Sequence, residues 1–315
     1  MTEATAPLVS INVPCYHQLD LARRCVDSIL AQSFERFELT LLDDGASGAY
    51  QEYVASIGDA RVRYQRNPVR LGSMRNMFGA MTLGRGKYVL AFHEDDLLGP
   101  RYVEAAVDWL EGHPACGFVA SSIREFHGAP QVEGAATDEP VYEAFAGAAD
   151  FLRGIFRGVD PMFGSIVYRR CALEGVEPQH DAFASLVDRP FLLSILERWS
   201  CAVITAPPMA WYRRHGEGDD RHLAMTTDHV LRLFERYRAT LPQPLSPEDE
   251  SLFYAFTGYW LLALFELVPP AKRAPIRQFL LTAFRKRLYT SVSARRSGRK
   301  RLLRGLIFNR LQVAK

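Results

Sequence analysis

An α/β fold, with one mostly parallel sheet and helices on both faces, is what this sequence predicts. Three observations carry that prediction. Short apolar runs alternate with amphipathic stretches at short intervals through the first half of the chain. Repeated β-α-β units of this length imply parallel strands joined by crossover helices. Finally, three of the apolar runs close on polar clusters, Pro14-Cys15-Tyr16, Asp43-Asp44-Gly45 and Glu94-Asp95-Asp96. In open α/β sheets ligands sit outside the carboxyl ends of the strands, so the three clusters converge on one edge.

The elements follow in order. Leu8–Val13 is an apolar run closed by Pro14. Asp20 then stands as a helix N-cap before Leu21, Ala22, Cys25, Val26, Ile29 and Leu30, which share one helical face. Phe37–Leu42 reads as a buried strand, Val62–Gln65 as a short one, Ser73–Leu83 as a helix and Lys87–Phe92 as a third strong strand. Pro100 opens a helix through Leu110, and Cys116–Ser121 is again strand-like. Residues 124–150, rich in Gly, Ala and acids, read as a loop or lid. Met162–Tyr168 and Cys201–Thr205 return to strand character, with a helix around Ala184–Arg198 between them. From about Ser246 the pattern is helical throughout. These limits give two domains, residues 1–240 for the α/β body and 241–315 for a C-terminal helical, basic segment.

A chain of 315 residues, 48% hydrophobic and 23% charged, has the material for a sizeable core. Its net charge of +2 hides an asymmetry. From Val268 onward there are 14 Lys and Arg and no Asp or Glu, which leaves residues 1–266 with 24 basic and 36 acidic side chains. An acidic body suits a divalent cation, and a basic tail suits a polyanion or an anionic membrane surface. Apolar residues such as Leu280, Phe284, Leu303 and Phe308 are interleaved with that basic tail. It can therefore lie in a headgroup region, or else pack on the body with its charges solvated. No nucleic-acid partner is expected. The five scattered cysteines form no CxxC pair, which points to reduced thiols in a cytoplasmic protein. No signal peptide is read at the start, and the longest apolar stretch, Phe256–Val268, is interrupted by Glu266 and is short for a bilayer span.

Three groups of residues could carry chemistry. Adjacent acids after a buried strand repel one another, and an oxygen-seeking cation such as Mg²⁺ or Mn²⁺ relieves that cost at Glu94-Asp95-Asp96. Read locally, the same run is an acidic turn before the Pro100 helix. In Tyr212-Arg213-Arg214-His215 an imidazole can complete a metal shell and a guanidinium can pair with phosphate; the alternative is a solvated surface turn. Asp188 interrupts the apolar stretch Leu186–Phe191 as a general base would, or as an N-cap ahead of Pro190. Competing motifs are missing. No GxGxxG follows the first strand, Arg85 stands where a P-loop needs Lys, and there is no Gly-x-Ser-x-Gly elbow.

The ordered set of motifs resembles family 2 glycosyltransferases. Val9–Tyr16 is similar to the family's opening strand, with Cys15 for the usual Thr and His17 for the usual Asn. Cys25–Phe34, Leu42–Ser47, Gly72–Asn76 and Gly86–Val89 resemble its next elements in order. His93-Glu94-Asp95-Asp96 stands where the family has D-x-D-D, so His93 replaces the first Asp. Gly164–Arg170 and Tyr212–His215 extend the likeness, which covers roughly residues 8–222.

The resemblance implies a GT-A fold with a single Rossmann-like sheet and an inverting, metal-dependent glycosyltransferase. It places Pro14, Tyr16, Asp44, Arg75, Asp95 and Arg213 on the nucleotide, Asp96 and His215 on Mg²⁺ or Mn²⁺, and Asp188 as the catalytic base. The implied partners are a nucleotide-diphosphate sugar and a glycan or lipid-linked acceptor, in bacterial surface polysaccharide or glycoconjugate synthesis. A sugar nucleotidyltransferase has a related sheet but needs a Gly-rich loop after the first strand, which Pro14-Cys15-Tyr16 does not supply. A non-catalytic nucleotide-sugar-binding protein of the same fold is the other alternative.

Overall fold

A computed structural model of the chain describes residues 6–45, 48–128, 138–214, 226–267, 273, 274, 276–278 and 281. The expected strands appear as β1 (Val9–Cys15), β2 (Phe37–Asp43), β3 (Val62–Arg66) and β4 (Tyr88–Ala91). Between them lie α1 (Leu19–Leu30), α2 (Ala49–Ile57) and α3 (Ser73–Ala80). Next come β5 (Leu97–Leu98), α4 (Tyr102–Gly112), β6 (Cys116–Ser121), β7 (Ile123–Phe126), β8 (Val141–Phe145) and α5 (Ala148–Arg157). The chain continues with β9 (Val167–Arg169), α6 (His180–Phe183), α7 (Asp188–Ile195), β10 (Ser200–Ala206) and β11 (Ala210–Arg213), then α8 (Thr227–Thr240) and α9 (Pro247–Leu267).

The large sheet has eight strands in the order β3-β2-β1-β4-β9-β6-β10-β8. Strands β1 to β4 are mutually parallel, as are β6 and β10, while β9 and β8 run against their neighbours. Strand β1 is flanked by β2 and β4, in register from Val9↔Phe37 to Cys15↔Asp43 and from Val9↔Tyr88 to Asn12↔Ala91. The chain winds away from β1 in both directions, so the carboxyl ends of β1 and β4 bound a topological switch point, where such sheets bind ligands. Both strands are buried on both faces, which is why they read as continuous apolar runs. A second sheet, β5-β11-β7, adds to the single sheet expected.

Several boundaries differ from the sequence expectation. Asp20 is not the N-cap; helix α1 starts at Leu19, and the Gln18 carbonyl accepts from Leu21 and Ala22 N–H. Helix α3 stops at Ala80, short of Leu83, because the Asn12 side chain donates to the Ala80 and Leu83 carbonyls at 2.8 and 3.3 Å. In place of a strand over 162–168 the chain makes a 3₁₀ turn at Phe163–Ser165, closed by the Ser165 hydroxyl on the Met162 carbonyl, and only then enters β9. The helix expected over 184–198 is confined to α7, since Ala184 has φ 48°, outside the right-handed region. Residues 124–150 contain most of β7, all of β8 and the start of α5; residues 129–137 lie outside the described set.

The described fold divides into two compact units. The first comprises 1–146, 160–176 and 198–215, the second 147–159, 177–197 and 216–315. Both sheets belong to the first. The second is helical: α5 packs with α7, α8 and α9, and Phe156 meets Tyr237 and Phe253 edge-on at 5.9 and 6.2 Å. Arg153 clasps Asp249 with two hydrogen bonds, at 2.7 and 3.0 Å, within this unit. No helix among the described residues is long and apolar enough to cross a membrane. All five cysteines are free thiols, four of them buried. The basic run Arg295–Arg301 lies outside the described residues.

Candidate active site

Strand β4 ends at Ala91, and the next turn carries His93, Glu94, Asp95 and Asp96. His93 Nδ1 lies 3.1 Å from Asp96 Oδ2, and the ligand atoms of His93, Asp95 and Asp96 are all within 4.8 Å of one another. Asp96 is fully buried. Burial pushes its carboxyl well above the usual range, while the His93 contact and the Arg213 N–H act in the other direction.

Strand β11 reaches this turn because it pairs antiparallel with β5, Trp211 opposite Leu97. Arg213 N–H therefore donates to Asp96 Oδ1 at 2.8 Å. Its side chain donates from Nε to the Asp95 carbonyl at 2.9 Å and from a second nitrogen to the Gly128 carbonyl, and it stacks over the Phe126 ring at 4.6 Å. The other terminal nitrogen of this buried guanidinium has no hydrogen-bond partner among the described residues. A buried donor left without an acceptor is costly, and an anion beside it removes the cost.

Two carboxylates and an imidazole suit Mg²⁺ or, better, Mn²⁺. Two ligands about 2.1 Å from one ion and at right angles are about 3 Å apart, the spacing of His93 Nδ1 and Asp96 Oδ2 here. The residues fit the cation. His93 therefore joins Asp95 and Asp96 in the cluster, a placement that the substitution for Asp made hard to foresee. Gly164 leaves room for its ring, since a Cβ there would come within 2.9 Å of His93 Cε1 and Nδ1. Gly164→Ala is expected to displace the ring and lower stability by about 1–3 kcal/mol, as overpacking does, while weakening Mn²⁺ binding; thermal melting and calorimetry check both.

Glu94 has different partners from the acids beside it. Its Oε1 accepts from Tyr16 N–H at 2.8 Å and its Oε2 from the Tyr50 hydroxyl at 2.5 Å. Burial pushes Glu94 up to about 7 against those two hydrogen bonds.

At the ends of β1 and β2, Pro14 is half-buried in register with Leu42, and the Tyr16 and His17 rings meet at a tilt of 53° with centroids 4.0 Å apart. Asp44 is buried and holds the following turn: Oδ1 accepts from Leu71 N–H and the Asn67 side chain at 2.7 and 2.9 Å, Oδ2 from Gly72 N–H at 2.8 Å. That turn carries Arg70, whose guanidinium lies over the Tyr16 ring at 4.3 Å. Arg70 is singled out only by its tertiary contact with Tyr16, which leaves no local signal in the sequence. Arg75 is exposed near the start of α3. The structure thus brings Pro14, Tyr16, Asp44, Asp95, Asp96 and Arg213 to the ends of neighbouring strands of the first unit. Asp188 belongs to the second unit, where it is buried as the first residue of α7 and its Oδ1 accepts from Arg189 N–H at 2.9 Å. Val187, not Asp188, is the N-cap of that helix. His215 lies outside the described residues.

Several solved structures share this architecture. Among solved structures, residues 1–349 of S. aureus TarS match with a TM-score of 0.58 at 14% identity, covering 91% of this chain and 82% of that one. A mannosyltransferase from Pyrobaculum calidifontis, in complex with GDP-Man and Mn²⁺, matches at 0.52 and 17% identity, covering 99% and 89%. At such identities the likeness is one of fold, the GT-A fold. In sequence, a putative colanic acid biosynthesis glycosyl transferase, WcaA of Escherichia coli K12, is 30% identical over 92 residues, 29% of this chain and 33% of the relative. A chondroitin synthase of Escherichia coli is 36% identical over 106 residues, 32% and 15% respectively. The aligned stretch thus spans a third or less of these relatives' length. The model of glycosyl transferase family 2 matches residues 10–168, half of the chain, across β1 to β4 and the acidic turn that follows, and the chain belongs to that family.

Proposed function

We propose that the chain is an inverting glycosyltransferase that moves a sugar from a nucleoside-diphosphate donor to a hydroxyl of a glycan or lipid-linked acceptor. The observation that carries this reading is the His93, Asp95 and Asp96 group beside the buried Arg213 guanidinium, at the switch point of the large sheet. Asp95 and Asp96, with His93, would hold Mg²⁺ or Mn²⁺; Asp95 also stands where a ribose hydroxyl is bound in the family pattern. When bound, the cation supplies Lewis-acid charge to the diphosphate leaving group.

The remaining steps belong to the chain's own residues. Tyr16, with Pro14 shaping the backbone beside it, takes the base. Asp44 holds the turn that carries Arg70, and Arg75 supplies further positive charge to the nucleotide. Arg213 gives its unpartnered nitrogen to a phosphate oxygen. Asp188 takes the proton from the acceptor hydroxyl as that oxygen attacks C1 from the face opposite the diphosphate. The new C1–O bond forms, the C1–O bond to phosphate breaks, and its electron pair leaves with the nucleoside diphosphate, so the anomeric centre inverts. Likeness to proteins named for colanic acid and chondroitin supports a polysaccharide or glycoconjugate product.

The test is thermal melting of the full chain with UDP-GlcNAc, GDP-mannose and related nucleotide sugars, each with Mn²⁺, Mg²⁺ or chelator. A ligand that binds only the native state raises its stability, by about 2.7 kcal/mol at a hundred times Kd. One or more donors are expected to raise Tm only with the metal present. No shift with any nucleotide sugar would overturn the reading, and a shift equal in chelator would remove the metal from it.

A further inference from the structure

Glu94 sits in the middle of the acidic run, yet both of its oxygens are engaged elsewhere. Oε1 accepts from Tyr16 N–H, just past the end of β1, and Oε2 from the hydroxyl of Tyr50 on α2. That hydroxyl in turn accepts from Gln18 N–H at 2.9 Å. A buried carboxylate and a buried phenol thus bracket the three-residue turn Tyr16-His17-Gln18 at both ends. We propose that Glu94 is a positioning residue that, through Tyr50, fixes this turn so that Tyr16 is preset for nucleotide binding.

The turn needs an outside restraint. His17 has φ 66°, a left-handed conformation that residues with a Cβ adopt at a cost. The Gln18 carbonyl starts helix α1 while its N–H is held by Tyr50, so the turn has little freedom only while the bracket is intact. Tyr16 is the residue whose placement depends on it: its ring contacts the His17 ring and the Arg70 guanidinium. A fixed ring presents a stacking surface without paying the ordering entropy at the moment of binding. The bracket also joins the end of β1 to the turn carrying Asp95 and Asp96, so the Tyr16 turn and the acidic cluster are held by one group. A buried carboxylate that merely satisfied stray donors would stabilise the fold and leave ligand affinity alone.

The inference rests on the nucleotide-binding reading above, and the experiment separates the two. UDP and GDP are titrated calorimetrically, with Mn²⁺, into wild type, Glu94→Ala, Glu94→Gln and Tyr50→Phe, with Mn²⁺ alone titrated into each and Tm recorded. Glu94→Ala is expected to weaken the better nucleotide about 10-fold or more, the size of effect that lost supporting shells produce. Tyr50→Phe, which removes only the hydroxyl, should weaken it several-fold. Glu94→Gln retains an oxygen for Tyr16 N–H and should recover most of the loss, while affinity for Mn²⁺ alone stays within about 2-fold in the Tyr50 variant. If wild type binds neither nucleotide, the nucleotide reading itself fails. If wild type binds and the folded Glu94→Ala variant matches it, the positioning role is overturned; should that variant not fold, unchanged affinity in Tyr50→Phe overturns it equally.

Discussion

Asp96→Asn is expected to abolish metal-dependent donor binding while leaving the chain folded, with donor affinity in Mn²⁺ falling about 100-fold or more. Loss of a group that merely supports a metal ligand already costs 10- to 100-fold, and here a charged ligand itself is removed. Asparagine is the informative substitution. Asp96 is fully buried and accepts Arg213 N–H at 2.8 Å, so alanine would also strand that donor, at about 1–3 kcal/mol. Asparagine keeps an oxygen for Arg213 and removes only the charge. Calorimetric titration of Mn²⁺ and of donor, beside a melting curve, reads the two effects apart. Wild-type donor affinity in a folded Asp96→Asn variant would mean that the cluster does not serve a cation.

Strands β1, β2 and β4 of the nucleotide half were legible because both of their faces are buried. Such strands leave apolar runs bounded by polar clusters, and the limits read for β1, β2, β3 and β4 differ from the structure by one or two residues. The second sheet was not legible. Strand β7 pairs with β11 through residues such as Ile123 and Ala210, and β5 is only two residues long, so no local period betrays either. Strand β8 was read as loop for the same reason: its partner, β10, lies some sixty residues on, and Val141 and Glu143 are exposed on an edge.

The site divides along similar lines. Clusters that follow a strand were found, because their position on the sheet edge follows from topology alone. Which member of a cluster faces which partner was not. Glu94, given no role of its own in the sequence, is committed to Tyr16 and Tyr50, 78 and 44 residues away in sequence. Asp44 was read as a contact to the base; its oxygens accept from the turn at Asn67, Leu71 and Gly72. These pairings are tertiary, and a single chain of letters carries no record of them. The chain leaves the sheet unit at 147–159 and at 177–197 and returns each time, an interleaving that no local composition marks.

Asp188→Asn is expected to cut sugar transfer by about 100-fold or more, as the loss of a general base does, equivalent to about 2.7 kcal/mol of transition-state stabilisation. Donor and Mn²⁺ affinity should be unchanged, since Asp188 is not among the proposed ligands of either. The substitution suits the question because it keeps the shape of the side chain and an oxygen for Arg189 N–H. Asp188 is buried as the first residue of α7, where its Oδ1 accepts from Arg189 N–H at 2.9 Å, and an asparagine oxygen accepts that bond equally. An acid in the first turn also favours the helix N-terminus, by about 0.3–1 kcal/mol, so a small drop in Tm is expected and is not itself evidence of catalysis. The discriminating measurements are release of nucleoside diphosphate from the donor found by melting, and the anomeric configuration of the product by NMR. A base acting on the acceptor hydroxyl predicts a product of inverted configuration and a defect in kcat with donor KM preserved. Near-normal turnover in the folded Asn variant would remove Asp188 from the mechanism. A product that retains the donor's configuration would remove single displacement as well, because direct attack by a deprotonated hydroxyl from the face opposite the diphosphate can only invert C1.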